Sequence, residues 1–298
     1  MLKILAADGM EAAAVQKLQD MGHKVTEHFY EAEELAKQLA DYDVLVVRSA
    51  TKVRVPVIDA AAAAGRLKLI IRGGVGVDNI DVAYAEDKGI KVRNTPAASS
   101  NSVAELALAH MFAIARYLHI ANHTMRNGEW NKKQYEGVEL AGKTLGIIGY
   151  GRIGRALAKL AGGVGMRVIA ADPFVTAPEV VGMDELLARA DFISLHMPAA
   201  KGASPLINAE TIAKMKDGVY LVNTSRGALI DDDALLAGLE SGKIAAAALD
   251  VFAEEPLKNE AVYTNPKISL TPHIGGSTAE AQARIGDEIV EIITAELL

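Results

Sequence analysis

The sequence has 298 residues, half of them hydrophobic and 23% charged, enough for two domains that each bury a core. Its formal net charge of -7, with no run of five or more Lys and Arg, argues against nucleic acid, whose phosphates need clustered cations. It has no cysteine, which excludes disulfides, thiolate catalysis and cysteine-held zinc, and no stretch reaches the roughly 18 apolar residues of a membrane span.

Asp8 and Gly9 cut the first apolar run too early for a leader, so a soluble, cytoplasmic protein is expected. Short apolar runs at Leu2–Ala6, Val25–Phe29, Val44–Val47, Leu67–Ile71 and Ile90–Val92 predict strands. Helix patterns lie between them at Glu11–Met21, Glu31–Leu39, Val57–Ala64 and Val82–Lys88. This alternation predicts a parallel sheet covered on both faces. Asn94-Thr95-Pro96 then breaks the pattern, because Pro96 keeps Thr95 out of helix.

A long, mostly apolar helix is predicted from Ser102 to Met125, with Glu105 near its start where the helix dipole favours a carboxylate. A polar stretch around Trp130 follows, read as a surface loop or part of an interface. The helix is too apolar for solvent, so a homodimer built on it and on the Trp130 loop is expected. From Thr144 a second α/β series begins. Its strands are predicted at Thr144–Ile148, Arg167–Ala171, Phe192–Leu195, Val219–Val222, Ala245–Leu249 and Ile268–Leu270, before a last helix from Thr278. Six strands with helices between them fit a dinucleotide-binding domain.

The strand Thr144–Ile148 runs into Gly149-Tyr150-Gly151-Arg152-Ile153-Gly154, and a helix follows to Leu160. In that context the three glycines read as a tight turn, a close approach to a pyrophosphate and a close helix–strand contact. The helix N-terminus presents unbonded N–H groups to phosphate. Asp172 ends the next strand, about 20 residues on, where a carboxylate accepts from the ribose hydroxyls and repels a 2′-phosphate. The cofactor expected is NAD. Gly73-Gly74-Val75-Gly76 lacks the third glycine of such a fingerprint and reads as a nest of amides for an anion.

Three motifs follow strand ends: Asn223-Thr224-Ser225-Arg226-Gly227, Asp250-Val251-Phe252-Ala253-Glu254-Glu255-Pro256 and Thr271-Pro272-His273-Ile274-Gly275-Gly276. Reducing a ketone needs a proton donor, for which histidine suits, and a cation for the carboxylate, for which the arginine fork suits. A glutamate beside the histidine stabilises the imidazolium. His119 and His123 stand four apart, as metal ligands can, but no third ligand accompanies them and no metal is expected. His196, before Met197-Pro198, reads as structural or near the cofactor.

These motifs, with the glycine fingerprint and Arg72-Gly73-Gly74-Val75-Gly76-Val77-Asp78-Asn79-Ile80-Asp81, resemble the D-isomer-specific 2-hydroxyacid dehydrogenases over essentially the whole chain. The resemblance implies two Rossmann-like or flavodoxin-like α/β domains. The substrate domain would be discontinuous, residues 1–94 and 277–298, around an NAD domain of residues 95–276. It implies Arg226 on the substrate carboxylate, His273 as acid and base, and Glu255 as its partner. Cofactor contacts are implied at Gly149, Gly151, Arg152, Ile153, Gly154, Asp172, Val75, Met197, Thr224, Ser225, Asp250, Gly275 and Gly276.

For the small anionic 2-hydroxy acid, Arg48, Arg72, Gly74, Val75, Gly76 and Lys132 are implied. Arg48-Ser49-Ala50-Thr51-Lys52-Val53 and Gly128-Glu129-Trp130-Asn131-Lys132-Lys133 are most like the members that oxidise D-3-phosphoglycerate. Lys132 stands where those often have Arg, and Val75 where they often have Thr. A glyoxylate or hydroxypyruvate reductase on the same scaffold is the alternative. From another class comes an NAD-sensing corepressor-like interaction protein, which would present a peptide groove.

Overall fold

The computed structural model describes residues 1–200 and 202–298. Two compact units emerge, Met1–Ser99 with Gly276–Leu298, and Ser100–Gly275. The first boundary lies beyond the Asn94-Thr95-Pro96 break because residues 95–98 are tied to the first unit. Thr95 N donates to Gly74 O (3.1 Å), and Arg284 Nε donates to Ala98 O (2.8 Å).

In the first unit the order is β1 (Lys3–Ala6), α1 (Ala12–Asp20), β2 (Lys24–Glu27), α2 (Ala32–Gln38), β3 (Val44–Val47), α3 (Val55–Ala64), β4 (Leu69–Arg72), α4 (Val82–Asp87) and β5 (Lys91–Asn94). The sheet is wholly parallel, in the flavodoxin-like order β2-β1-β3-β4-β5. All four residues of central β3 are buried, as both faces of the sheet are covered. Leu35, Val57, Ile58 and Ala85 cover one face. Leu18 covers the other together with Ile285, Ile289 and Ile293 from the last helix, whose four-residue spacing makes one apolar stripe.

The second unit comprises α5 (Ser100–Ala115), α6 (Leu118–Arg126), β6 (Thr144–Ile148), α7 (Arg152–Gly163), β7 (Arg167–Ala171), α8 (Met183–Arg189), β8 (Phe192–Leu195), α9 (Ala209–Lys214), β9 (Val219–Asn223), α10 (Asp232–Ser241), β10 (Ile244–Leu249), α11 (Glu260–Tyr263) and β11 (Ile268–Leu270); the chain then returns to the first unit with α12 (Ala279–Leu297). Its sheet is parallel in the order β11-β10-β9-β8-β6-β7. A single bridge, Ala170 to Val180, adds a vestigial strand outside β7. Counting it, the strands follow the dinucleotide-binding order 3-2-1-4-5-6 with one more at the end. The topological switch lies between β6 and β8.

The helix expected from Ser102 to Met125 is two helices at 66° to one another. Ala115 O, which a continuing helix would give to residue 119, accepts instead from Val138 N (3.0 Å). Tyr117 turns into the left-handed region (φ 56°) and its ring packs on Tyr135 at 5.8 Å. Much of the apolar character of α5 serves the core, where Ala104, Ala107, Met111 and Ile114 pack with Leu157 and Ala161 of α7. Among the described residues no single helix is long and apolar enough to cross a membrane.

Candidate active site

The glycine loop joins β6 to α7 at the switch point. Gly149 has φ +94°, which L side chains rarely adopt, and a Cβ there would stand 2.6 Å from the backbone of His196. Gly151, by contrast, has open space within 4 Å at the head of the twelve-residue α7. Arg152 is exposed, and Ile153 packs into the core behind the loop. Gly154 sits against Gly149 O, so helix and strand meet closely.

Asp172 holds this loop: Oδ2 accepts from Tyr150 N (2.8 Å) and Oδ1 from Phe174 N (2.9 Å). It is therefore both a turn residue and a carboxylate at the loop's edge. Two buried polar atoms in the neighbouring sequence motifs, Thr224 Oγ1 and His196 Nδ1, lack hydrogen-bond partners among the described residues. Burial pushes the His196 imidazole down to about 4, so the ring is neutral, with Nε2 bonded to Ser194 Oγ (2.8 Å). An open glycine at a helix N-terminus, a carboxylate at the next strand end and unpartnered polar atoms at the neighbouring strand ends fit a dinucleotide. Gly149, Gly151, Gly154 and Asp172 would be the residues to hold it, with Met197, Thr224 and Ser225 as further candidates.

The loops after β8, β9, β10 and β11 interlock. Ser225 Oγ donates to Met197 O (2.5 Å). Asn223 Oδ1 accepts from Ser225 N (3.0 Å), and its Nδ2 donates to Arg226 O (2.8 Å). Gly227 packs directly on the Phe252 backbone, where a Cβ would lie 1.9 Å from Phe252 C. That approach sets Arg226 beside the loop that carries Glu255. Arg226 Nη1 donates to Ser225 O (2.6 Å).

His273 Nδ1 and Glu255 Oε2 are 2.8 Å apart, with both side chains a little under 40% exposed. With Nδ1 turned to the carboxylate, Nε2 is the ring nitrogen that can exchange a proton with a bound molecule. Burial pushes the Glu255 carboxyl up, but the His273 bond and charge, the Phe252 amide and Arg226 outweigh it and hold the acid below its ordinary value. A cation for a carboxylate, a proton-exchanging imidazole and its counter-ion thus stand on adjacent loops at the C-terminal edge of the sheet. That is the equipment for proton transfer at a carbonyl or alcohol carbon next to a carboxylate.

Asp250, expected among the cofactor contacts, is only 1% exposed. Its Oδ1 accepts from Thr271 Oγ1 (2.6 Å) and Ile274 N (2.8 Å), and Oδ2 from Gly275 N (2.8 Å). With three donors satisfied, its work in this structure is to hold the loop that carries His273. His273 itself takes a left-handed backbone (φ 54°), an uncommon state for a non-glycine residue.

In the first unit, Arg48 follows β3 and its loop is pinned from two sides. Asp8 accepts from Arg48 N (2.7 Å) and Thr51 Oγ1 (2.6 Å), and Asn79 Nδ2 donates to the carbonyls of Arg48 (2.8 Å) and Thr51 (2.7 Å). No hydrogen bond or ion pair engages the Arg48 guanidinium among the described residues. Arg72 behaves differently. It folds over its own loop, with Nη1 donating to Gly73 O (3.3 Å) and lying 1.4 Å from where a Gly74 side chain would begin. Arg72 thus lies against Gly74, and Val75 O accepts from Asn94 Nδ2 (2.5 Å). Gly276 belongs to this unit, its carbonyl accepting from Gln282 Nε2 (2.8 Å).

Lys132 is exposed on a short 3-10 turn beside Trp130, which is 77% exposed. His119 bonds to the carbonyls of Ala113 (3.3 Å) and Pro266 (3.0 Å) and His123 to Asn127 (3.2 Å), so the two do not share a site. Sequence reasoning passed over Asp8 and Asn79, which place Arg48, and Thr271 and His110, which bond next to Asp250. Their signal was faint: a polar residue at a strand end, or a single histidine within an apolar helix.

Comparison with known proteins accords with this geometry. A model of the NAD binding domain of D-isomer specific 2-hydroxyacid dehydrogenases matches residues 108–275. The chain is 48% identical over 298 residues to a hydroxypyruvate reductase of Thermotoga maritima, across 97% of this chain and 96% of that one. It is 46% identical over 301 residues to a D-3-phosphoglycerate dehydrogenase of Methanocaldococcus jannaschii, across 98% of this chain but spanning only 57% of that protein. The structure resembles that of a glyoxylate reductase from Paecilomyes thermophila, with a TM-score of 0.89 and 33% identity over 100% of this chain and 97% of the other. The chain belongs to the D-isomer specific 2-hydroxyacid dehydrogenase family and is an NAD-dependent D-2-hydroxyacid dehydrogenase.

Proposed function

We propose that the chain oxidises D-3-phosphoglycerate at C2 to 3-phosphohydroxypyruvate, a step that would supply serine biosynthesis. Arg226 grips the carboxylate and orients the C2 oxygen. His273 Nε2 takes the hydroxyl proton as the carbonyl forms, and Glu255 stabilises the imidazolium. The glycine loop and Asp172 would hold NAD, which would supply the hydride acceptor for C2. In the reverse direction His273 returns the proton. Asp172 repels a 2′-phosphate, which favours NAD over NADP.

The observation that carries the substrate choice is Arg48. Its backbone is fixed by Asp8 and Asn79, yet among the described residues its guanidinium has no acidic partner, in a chain of net charge -7. A phosphate monoester brings about two negative charges near neutral pH and is what such a cation would serve. A charged hydrogen bond of this kind is worth roughly 1.5–3 kcal/mol, so Arg48→Ala should cost on the order of tenfold to a hundredfold in kcat/KM for phosphoglycerate. Oxidation of unphosphorylated D-glycerate should hardly change. Equal losses on both substrates would make Arg48 structural.

A second reading, hydroxypyruvate reduction, is favoured by one specific observation. The chain is 48% identical to the Thermotoga hydroxypyruvate reductase, against 46% to the Methanocaldococcus dehydrogenase. Assembly as a homodimer is part of the proposal. Phe112, Leu118, Met125 and Trp130, exposed by 37%, 55%, 52% and 77%, put apolar surface on and beside α5 and α6. Sedimentation as a monomer at micromolar concentration would refute it.

A further inference from the structure

His110 sits in the middle of α5, one turn from Ala107 and beside Met111, in the core of the second unit, and is only 3% exposed. A histidine in that position needs partners for both ring nitrogens. It has them. Nδ1 lies 3.2 Å from Ser269 Oγ, and Nε2 lies 2.9 Å from Thr271 Oγ1. Thr271 Oγ1 in turn donates to Asp250 Oδ1 (2.6 Å).

The direction of every bond follows from the last one. Thr271 has a single hydroxyl hydrogen, and Asp250 receives it. The contact between Thr271 and His110 must therefore be donated by His110 Nε2–H. Burial pushes the imidazole down, against the pull of the Asp250 charge and with the push of His119, so the ring is neutral and Nδ1 is an acceptor. Ser269 Oγ–H fills it. The result is one directed chain from Ser269 through His110 and Thr271 to Asp250.

Asp250 spends the rest of its capacity on the loop around His273. Thr271 lies two residues before that histidine, and the bonded amides of Ile274 and Gly275 lie directly after it. One carboxylate thus clamps both flanks of a residue whose left-handed backbone needs to be held. Asp250 also heads the loop that ends in Glu255. We propose that His110 is a positioning residue for the reaction: by occupying the Thr271 lone pair it turns the hydroxyl onto Asp250, and Asp250 then fixes His273 against Glu255. The inference rests on His273 being the proton donor.

The test compares His110→Met, an apolar replacement, with His110→Gln, whose amide N–H can reach Thr271. Thr271→Val removes the link from the other side and guards against a misfolded His110 variant; each protein is first checked by its melting temperature. His110→Met should lower kcat on the order of tenfold, as members of one hydrogen-bond network do. In the reductive direction, its loss of rate with rising pH should set in at lower pH, because the imidazolium is less well held. His110→Gln should recover most of the rate. The double variant His110→Met/Thr271→Val should be no worse than either single one. Wild-type kcat and an unmoved pH limb in folded His110→Met, no rescue by Gln, or multiplicative losses in the double variant would each overturn the positioning role. His273→Ala is measured alongside: near-normal turnover there would instead sink the assignment of the proton donor.

Discussion

Gly149 and Gly151 stand two residues apart in one loop, and the structure gives them opposite tasks. Gly149→Ala must accommodate a side chain at φ +94° and 2.6 Å from the His196 backbone. The left-handed state alone costs about 1–2 kcal/mol, and the clash adds to it. Gly151 has φ -77° and nothing within 4 Å, so Gly151→Ala should leave the apo protein as stable or add about 0.4–1 kcal/mol through the unfolded chain. Its methyl group would occupy the space through which a pyrophosphate approaches the α7 amides. Losing one or two charged hydrogen bonds of roughly 1.5–3 kcal/mol each weakens NADH binding at least about tenfold. Thermal melts without cofactor, with NADH titrations followed by fluorescence, separate the two effects. Unchanged NADH affinity in Gly151→Ala, or an unharmed melting temperature in Gly149→Ala, would refute the reasoning.

Three further outcomes are expected. Glu255→Gln should move the pH limb of the reductive rate to lower pH, because a neutral amide no longer stabilises the imidazolium. The pair is nearly 40% exposed, so the move should not exceed about one pH unit, and an upward move would contradict the pairing. Asp172→Ala should relax discrimination against NADP and also loosen the glycine loop, since the Tyr150 and Phe174 amides lose their acceptor; unchanged cofactor preference would remove Asp172 from the ribose site. His196, whose ordinary value of 6.5 falls to about 4 in the fold, should destabilise the protein as pH drops. The unfolded chain takes up a proton below its ordinary value and the folded chain does not, so stability is full above that range and lost between the two values. The loss is at most about 3 kcal/mol. Denaturant melts at several pH values check this, and an unchanged acid slope in His196→Gln would refute it.

The strands were legible because parallel strands covered on both faces read as short apolar runs, as in the fully buried Val44–Val47. The break between α5 and α6 was not, because it is made from outside by the Val138 amide taking the Ala115 carbonyl. The bridge at Val180 is one residue long, too short to leave a periodic pattern. At the site, the motif residues Arg226, Glu255 and His273 announced themselves, and the structure brings them onto adjacent loops. What the sequence hid were the residues that hold them. Asp250 read from its motif as a cofactor contact, and the structure adds that it anchors the His273 loop; His110 meets Ser269 across 159 positions, a separation no local pattern reports. Arg48 and Arg72 looked alike as strand-end cations, yet only the structure shows Arg72 folded over its own loop.

The most direct test of the proposed function is the rate of NADH formation by the unaltered protein with D-3-phosphoglycerate, its mirror image and D-glycerate. The site predicts the highest kcat/KM for D-3-phosphoglycerate, a lower one for D-glycerate and none for the mirror image. A preference for D-glycerate would overturn the phosphate assignment of Arg48, and no NADH from either D-acid would contradict the account as a whole.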